Sequence, residues 1–163
     1  MDDGPIRQLT DDWQRELPGL DVGPMATLAQ INRLSLLVNR QIEQALSANG
    51  SSLAEFDVLS ALRRQGAPFR LKPSELSRRV MLSPSSMTHR VDPLEKTGLV
   101  ERQSDPSNRR IIPVALTPEG VAVAETLVQI VVEVQVEVLR SLSPTERRAL
   151  DETTTRLIGD LTD

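Results

Sequence analysis

The chain of 163 residues contains no cysteine, and its only histidine is His89. The absence of cysteine excludes disulfides and a thiol redox sensor, and together with the single histidine it excludes an ordinary zinc site. A Ser-His-Asp relay would have to use His89, whose surroundings do not resemble a nucleophile elbow. We therefore expect neither an enzyme nor a bound metal or other cofactor.

Aromatic residues and long apolar runs are also scarce. The aromatic side chains are Trp13, Phe56 and Phe69, and no run of eighteen apolar residues occurs. The acidic N-terminus lacks the basic flank and apolar stretch of a signal peptide. With 39% hydrophobic and 26% charged residues, the composition is that of a globular chain, and the length fits one domain. We expect a cytoplasmic protein without a membrane partner.

Positive charge is concentrated in the middle of the chain. Residues 63–110 contain eleven Lys and Arg against five Asp and Glu, whereas the net charge of the whole chain is −4. A basic middle with acidic ends fits a module that faces DNA. An ordinary solvated face explains the composition equally well.

Capping and periodicity signals divide the chain into helices. We predict a short helix over residues 11–17, a long amphipathic helix from Gly23 to the Asn49-Gly50 stop, and a helix over residues 52–65. The third begins with a capping box formed by Ser52 and Glu55. Residues 118–139 alternate with period two near their end, but their length favours a helix, and Ser143 caps a last helix.

The middle of the chain predicts a helix-turn-helix followed by a hairpin. Two short helices, residues 72–81 and 84–96, are joined by a tight turn. Two β-rich runs, residues 99–103 and 111–116, flank a segment rich in turn formers, which is typical of a β-hairpin wing. Pro93 lies inside the second helix, where we expect a kink or early loosening.

Polar side chains of residues 84–96 are the candidate DNA readers. An inward stripe of Met87, Val91 and Leu94 would leave the other face for bases and phosphates. The alternative is the polar surface of an ordinary helix. At the wing tip, arginines can enter a narrow minor groove, although an exposed turn is the simpler explanation. The candidate DNA-binding residues are Ser85, Ser86, Thr88, His89, Arg90, Arg109 and Arg110.

Successive segments resemble the signatures of MarR-family winged-helix regulators. They are residues 55–62 (EFDVLSAL), 73–76 (PSEL), 82–92 (LSPSSMTHRVD), 94–102 (LEKTGLVER), 105–110 (DPSNRR) and 116–120 (LTPEG). The resemblance implies a mainly α fold (α+β), a winged helix-turn-helix lobe over residues 52–117, and dimerisation helices over 24–50 and 118–163, with residues 1–20 as an extra N-terminal helix. It further implies a homodimer that binds a pseudo-palindromic operator in double-stranded DNA, usually as a repressor.

The N-terminal segment is similar to the extra helix of the urate-responsive branch of that family. The resemblance implies a binding site for urate or a similar small anion formed by Trp13, Asp57, Arg64 and Arg90. Seven residues span about two helical turns, with only about 20° of net rotation, so Asp57 and Arg64 share a face. An anion could stack on Trp13, pair with Arg64 and repel Asp57, and Arg90 would pass the change to the DNA-reading helix.

Simpler roles remain open for each of these residues. Asp57 could favour the start of its helix, Arg64 could favour the end, and Arg90 could bind only phosphate. Trp13 could be a packing anchor. For the whole protein, the alternative to a ligand-responsive regulator is a winged-helix module that binds DNA or protein without sensing a ligand.

Overall fold

The computed structural model describes residues 4–103 and 112–162, which form seven helices and three short strands. In chain order these are α1 Gly4–Glu16, α2 Gly23–Ala48, α3 Leu53–Arg63, β1 Arg70–Leu71, α4 Pro73–Arg79, α5 Pro84–Lys96, β2 Val100–Arg102, β3 Val114–Leu116, α6 Pro118–Val138 and α7 Pro144–Thr162. The fold is mainly helical with a small sheet, as predicted. Two compact units divide the chain, Met1–Gln41 and Ile42–Asp163.

Within the second unit, α3 is the central helix and packs against α4, α5 and α6. The strands form an antiparallel sheet in the order β1-β3-β2, with Arg70 opposite Ala115 and Val100 opposite Leu116. The largest fully buried side chains of this unit are Leu46, Leu59, Leu62, Leu76, Met87, Leu94, Val58 and Val100. These helices and the sheet form a winged-helix arrangement around one apolar core.

Side-chain caps begin α3 and α6 where the sequence predicted them. The Ser52 hydroxyl accepts from the Glu55 N–H at 3.3 Å, and the Glu55 carboxylate accepts from the Ser52 N–H at 3.0 Å. Thr117 caps α6 by accepting from the Gly120 N–H at 3.0 Å. Because each cap satisfies helix N–H groups that have no partner inside the helix, local sequence was sufficient to predict these starts.

The first unit contains α1 and most of α2. The predicted start of the first helix at residue 11 was wrong, since α1 begins at Gly4. Pro5 occupies the first turn, where its fixed φ favours helix and its missing N–H loses no bond. The long second helix was predicted correctly, because α2 ends at Ala48 just before the Asn49-Gly50 signal.

Two further expectations need correction. The helix does not loosen at Pro93, because α5 continues to Lys96 and the Thr97 N–H donates to the Pro93 carbonyl at 3.0 Å. Buried neighbours hold the helix through the proline, since Val91 and Leu94 lie in the core. The wing strands are also shorter than predicted, and residues 104–111 of the hairpin lie outside the described residues.

No helix among the described residues has the length and apolar character needed to cross a membrane.

The expectation that the chain forms a single domain stays a prediction.

Candidate functional site

Helix α5 presents a polar face to solvent because its apolar residues point into the core. Met87, Val91 and Leu94 are buried, as the spacing predicted. Of the five candidate DNA readers on α5, four are exposed and Arg90 is half-buried. The exposed ones are Ser85, Ser86, Thr88 and His89. Ser83 begins the helix by accepting from the Ser86 N–H at 3.2 Å, so these polar residues lie in its first two turns.

An ion-pair cluster fixes the other end of α5 to the sheet. Arg102 of β2 donates to the carboxylates of Asp92 and Glu95 on α5. The hydrogen bond to Asp92 is the main reason that the pKa of Arg102 is raised above its ordinary value. This cluster was missed in the sequence, although the i, i+3 spacing of the two acids places them on one face. It orients the helix without using the polar face.

A second ion pair connects α5 to α3. The Arg90 guanidinium donates to the Asp57 carboxylate with an Nη1–Oδ2 distance of 2.6 Å. The side chains are 28% and 34% exposed, so the pair lies at the edge of the protein interior. Thus two of the four predicted ligand residues are in direct contact.

Asp57 also lines a cavity of about 780 Å³. Helices α3 and α6, together with the end of α4 and the turn after it, form its walls, and its lining residues are Phe56, Asp57, Ser60, Arg63, Arg64, Arg79, Val80, Met81, Glu125, Val128 and Gln129. This volume lies within the range of about 300–1,000 Å³ that small-molecule sites occupy. The cavity combines apolar walls with arginines, a composition that suits an aromatic anion.

Arg64 follows the last residue of α3 and lines the same cavity as Asp57, as their seven-residue spacing predicted. Its Nη2 donates to the carbonyl oxygen of Arg79 at 3.1 Å. That carbonyl lies at the end of α4, where a cation is favoured by the helix dipole. Arg64 therefore already stabilises the packing of α3 near α4, in addition to facing the cavity.

The α6 wall contains an ion pair that the sequence did not predict. Nε and Nη2 of Arg63 donate to the same oxygen of Glu125 at 3.0 and 2.7 Å. The Arg63 guanidinium carbon also lies 4.8 Å from the ring centroid of Phe69. Sixty-two positions separate Arg63 from Glu125, so no local pattern indicates their contact.

Three predicted site residues have roles that stay predictions. Trp13 lies on α1 in the first unit and is 41% exposed, and its part in ligand binding stays a prediction. Arg109 and Arg110 lie outside the described residues. Within residues 4–103 and 112–162, no cluster of three His, Asp or Glu side chains could hold a metal ion.

Comparison with known proteins identifies the family. The model of the MarR family matches residues 52–112. The HTH-type transcriptional regulator PecS of Dickeya dadantii is 34% identical over 145 residues, which are 89% of this chain and 87% of PecS. The chain belongs to the MarR family. MarR-family proteins are transcriptional regulators and not enzymes, so the expectation of a non-enzymatic regulator is confirmed.

Solved structures of the MarR family share the fold. Sco3205 of Streptomyces coelicolor in complex with DNA has a TM-score of 0.77 at 21% identity and covers 88% of this chain and 91% of its own. Rv2887 of Mycobacterium tuberculosis in complex with p-aminosalicylic acid has a TM-score of 0.63 at 26% identity. The match covers 79% of this chain and 95% of Rv2887. The first similarity shows the winged-helix fold alone.

Proposed function

We propose that this MarR-family protein is a ligand-responsive transcriptional repressor that a small aromatic anion, such as urate, releases from its operator. The observation that supports the proposal most directly is the contact between Asp57 and Arg90. One partner lines the cavity and the other belongs to the candidate recognition helix. A change in the cavity therefore has a direct route to α5.

The proposed release begins with the charge of the ligand. An anion in the cavity accepts hydrogen bonds from Arg64 and repels the carboxylate of Asp57, which then leaves Arg90. Because the Asp57–Arg90 pair is about one-third exposed, it contributes only about 1 kcal/mol. A ligand of modest affinity is sufficient to overcome an interaction of that size.

Loss of the pair changes the population of DNA-competent dimers. Arg90 no longer holds α5 against α3, so the recognition helices shift relative to the grooves they enter. A coupling of about 1 kcal/mol changes this equilibrium about fivefold per lobe. Two lobes acting on one operator increase the effect.

We propose that DNA contacts come from α5 and the wing. Ser85, Ser86, Thr88 and His89 are exposed in the first turns of α5, the part of a recognition helix that reaches base edges. Arg90 adds a contact to base or phosphate, and Arg109 and Arg110 bind at the minor groove. Sco3205, which shares the winged-helix fold, was solved in complex with DNA. Rv2887, solved with p-aminosalicylic acid, supports the ligand part of the proposal.

A homodimer in the cytoplasm completes the proposal. Helix α7 has no buried residue, and Leu157 and Ile158 remain exposed on it. A second copy that covers this surface removes it from water and places two winged-helix lobes on adjacent half-sites.

Operator binding in the presence of ligand tests the function. Wild-type protein should shift the promoter next to its own gene, and urate or salicylate should release that DNA. Arg90→Ala should weaken operator binding by about 5- to 150-fold, equivalent to about 1–3 kcal/mol, and blunt the ligand response. Arg140→Ala is the matched control, because Arg140 forms an exposed ion pair with Glu137 on the C-terminal side of α6.

Asp57→Asn distinguishes sensing from simple DNA binding. Because the neutral amide holds Arg90 less strongly, this variant should behave like the ligand-bound protein, with weaker operator binding and little further response. A winged-helix module that senses nothing would give operator complexes that no anion dissociates in either protein. A protein that never shifts its promoter at low salt would contradict the regulator function itself.

A further inference from the structure

Helix α3 forms ion pairs with two different helices beside the cavity. Its Asp57 carboxylate pairs with Arg90 of α5, and its Arg63 guanidinium pairs with Glu125 of α6. Asp57, Arg63 and Glu125 all line the cavity. The release mechanism proposed above uses only the first pair, so the second pair needs its own explanation.

The Arg63 guanidinium is held in a fixed position. Two of its N–H groups donate to a single oxygen of Glu125, and its face lies over the ring of Phe69. A planar guanidinium with two aligned donors is the preferred partner of a carboxylate. Glu125 therefore occupies the place that an acidic group of a ligand would otherwise take.

The Arg63–Glu125 pair adds little to stability, but it still disfavours a second acidic group at Arg63. The Arg63 and Glu125 side chains are 36% and 51% exposed, and an ion pair so open to water stabilises the fold very little. The fold does not depend on it. A second acidic group on a ligand must nevertheless separate the pair and approach the displaced carboxylate, and both steps disfavour it.

We propose that Glu125 is a specificity-determining residue that restricts the cavity to planar aromatic ligands with one negative charge. A monoanion binds near Arg64 and leaves the Arg63–Glu125 pair intact. The second negative group of a dianion would have to pair with Arg63, but Glu125 already holds that arginine and its carboxylate repels the group. The inference rests on the proposed ligand-binding function and adds the charge class of the ligand and the residue that selects it.

Removing the charge of Glu125 should reverse this preference. In Glu125→Gln, Arg63 stays over Phe69 but loses its carboxylate partner and can pair with a second acidic group. Calorimetric titration of the full-length protein with benzoate and with isophthalate, its 1,3-dicarboxylate analogue, measures the effect. The isophthalate-to-benzoate ratio of association constants should rise on the order of tenfold, because the substitution removes a repulsive charge and leaves Arg63 without its carboxylate partner.

Two variants make the result specific. Glu137→Gln removes the same charge from the same helix at the exposed Arg140 pair, and it should leave the ratio unchanged. Combining Glu125→Gln with Arg63→Gln should cancel the gain, because no cation then receives the second carboxylate. The melting temperature of each variant without ligand should lie close to that of the wild type, given the exposure of the pair.

The outcomes separate this inference from the function on which it rests. Binding of benzoate with an unchanged ratio in Glu125→Gln, or an equal change in Glu137→Gln, overturns the role of Glu125 and leaves the regulator intact. Binding of neither probe to any variant, with operator complexes insensitive to urate and salicylate, overturns the ligand-responsive function together with the inference.

Discussion

The winged-helix lobe and helix α7 differ in how they remain folded. In the lobe, Leu59 of α3 and Leu94 of α5 are completely buried. In α7 no residue is buried, and Leu157 and Ile158 are 43% and 63% exposed. The lobe thus has its own apolar core, whereas α7 buries none of its residues, and in the proposed homodimer a second copy covers its apolar side chains. If the proposed homodimer forms, amphipathic sequences of similar appearance serve the interior of one chain in the lobe and the contact between two chains in α7.

Two glycines show the same difference between close packing in the lobe and open space around α7, when a Cβ atom is placed on each. A Cβ at Gly120, in the first turn of α6, would lie 1.9 Å from the backbone oxygen of Leu99. A Cβ at Gly159 in α7 would meet nothing within 4 Å. The first glycine permits α6 to pack against the lobe, and the second only weakens its helix.

The largest expected effect is in the core of the lobe. Leu59→Ala should lower the free energy of unfolding by about 2–5 kcal/mol, because it leaves a cavity among fully buried side chains. Chemical denaturation measures this loss.

Leu157→Ala is the matched substitution in α7. If a second copy covers α7, the melting temperature of the Leu157→Ala variant should be lower than that of the wild type. The difference between the two should depend on protein concentration. A loss as large as that of Leu59→Ala but independent of concentration would contradict the assignment of α7 to a dimer contact.

A somewhat smaller effect is expected at Gly120. Gly120→Ala should destabilise the protein by about 3 kcal/mol, at the upper end of overpacking effects, because the new methyl group meets backbone that cannot rotate away.

Gly159→Ala provides the contrast. It should raise stability by about 0.5–1 kcal/mol, since alanine is the better helix former and the space is open. Destabilisation by Gly159→Ala would instead show that another surface packs closely against α7 at this position.

Removal of the capping box of α3 should have a moderate effect. Ser52→Ala leaves the Glu55 N–H without its hydroxyl acceptor and should lower stability by about 1 kcal/mol. Ser51→Ala is a suitable control, because the Ser51 hydroxyl contacts the same carboxylate but does not cap the helix. Equal losses in the two variants would show that the Glu55 carboxylate, and not the cap, is responsible.

The smallest effect concerns the pH dependence of α7. The side-chain hydroxyl of Ser143, followed by its backbone N–H, donates to Glu146 and holds the pKa of that carboxyl below its ordinary value. Because the folded pKa is the lower one, the stabilisation is present above the unfolded pKa and is lost as the pH falls through the folded pKa.

Titration followed by NMR should show the change directly. The pKa of Glu146 should rise towards its ordinary value in Ser143→Ala, because the hydroxyl that donates to its carboxylate is removed. An unchanged pKa of Glu146 would mean that the cap of α7 is not formed in solution.

Local features of the sequence determined the helices and most of their starting points, the start of α1 excepted. A cap joins groups three residues apart, as between Ser52 and Glu55, and an apolar stripe reflects a period of 3.6 residues, as in α5. Both are properties of short segments, and the structure confirmed them. Family resemblance grouped Asp57 and Arg90 in one proposed site, but their direct contact across thirty-three positions came only from the structure.

Only the tertiary structure decided the contacts between distant segments. Strand β1 has two residues and no detectable period, and it exists because β3 supplies its hydrogen-bond partners. Arg63 meets Glu125 only after α3 packs against α6. Helix starts depend on interactions within a few residues, whereas the cavity and its charges depend on chain segments that folding brings together.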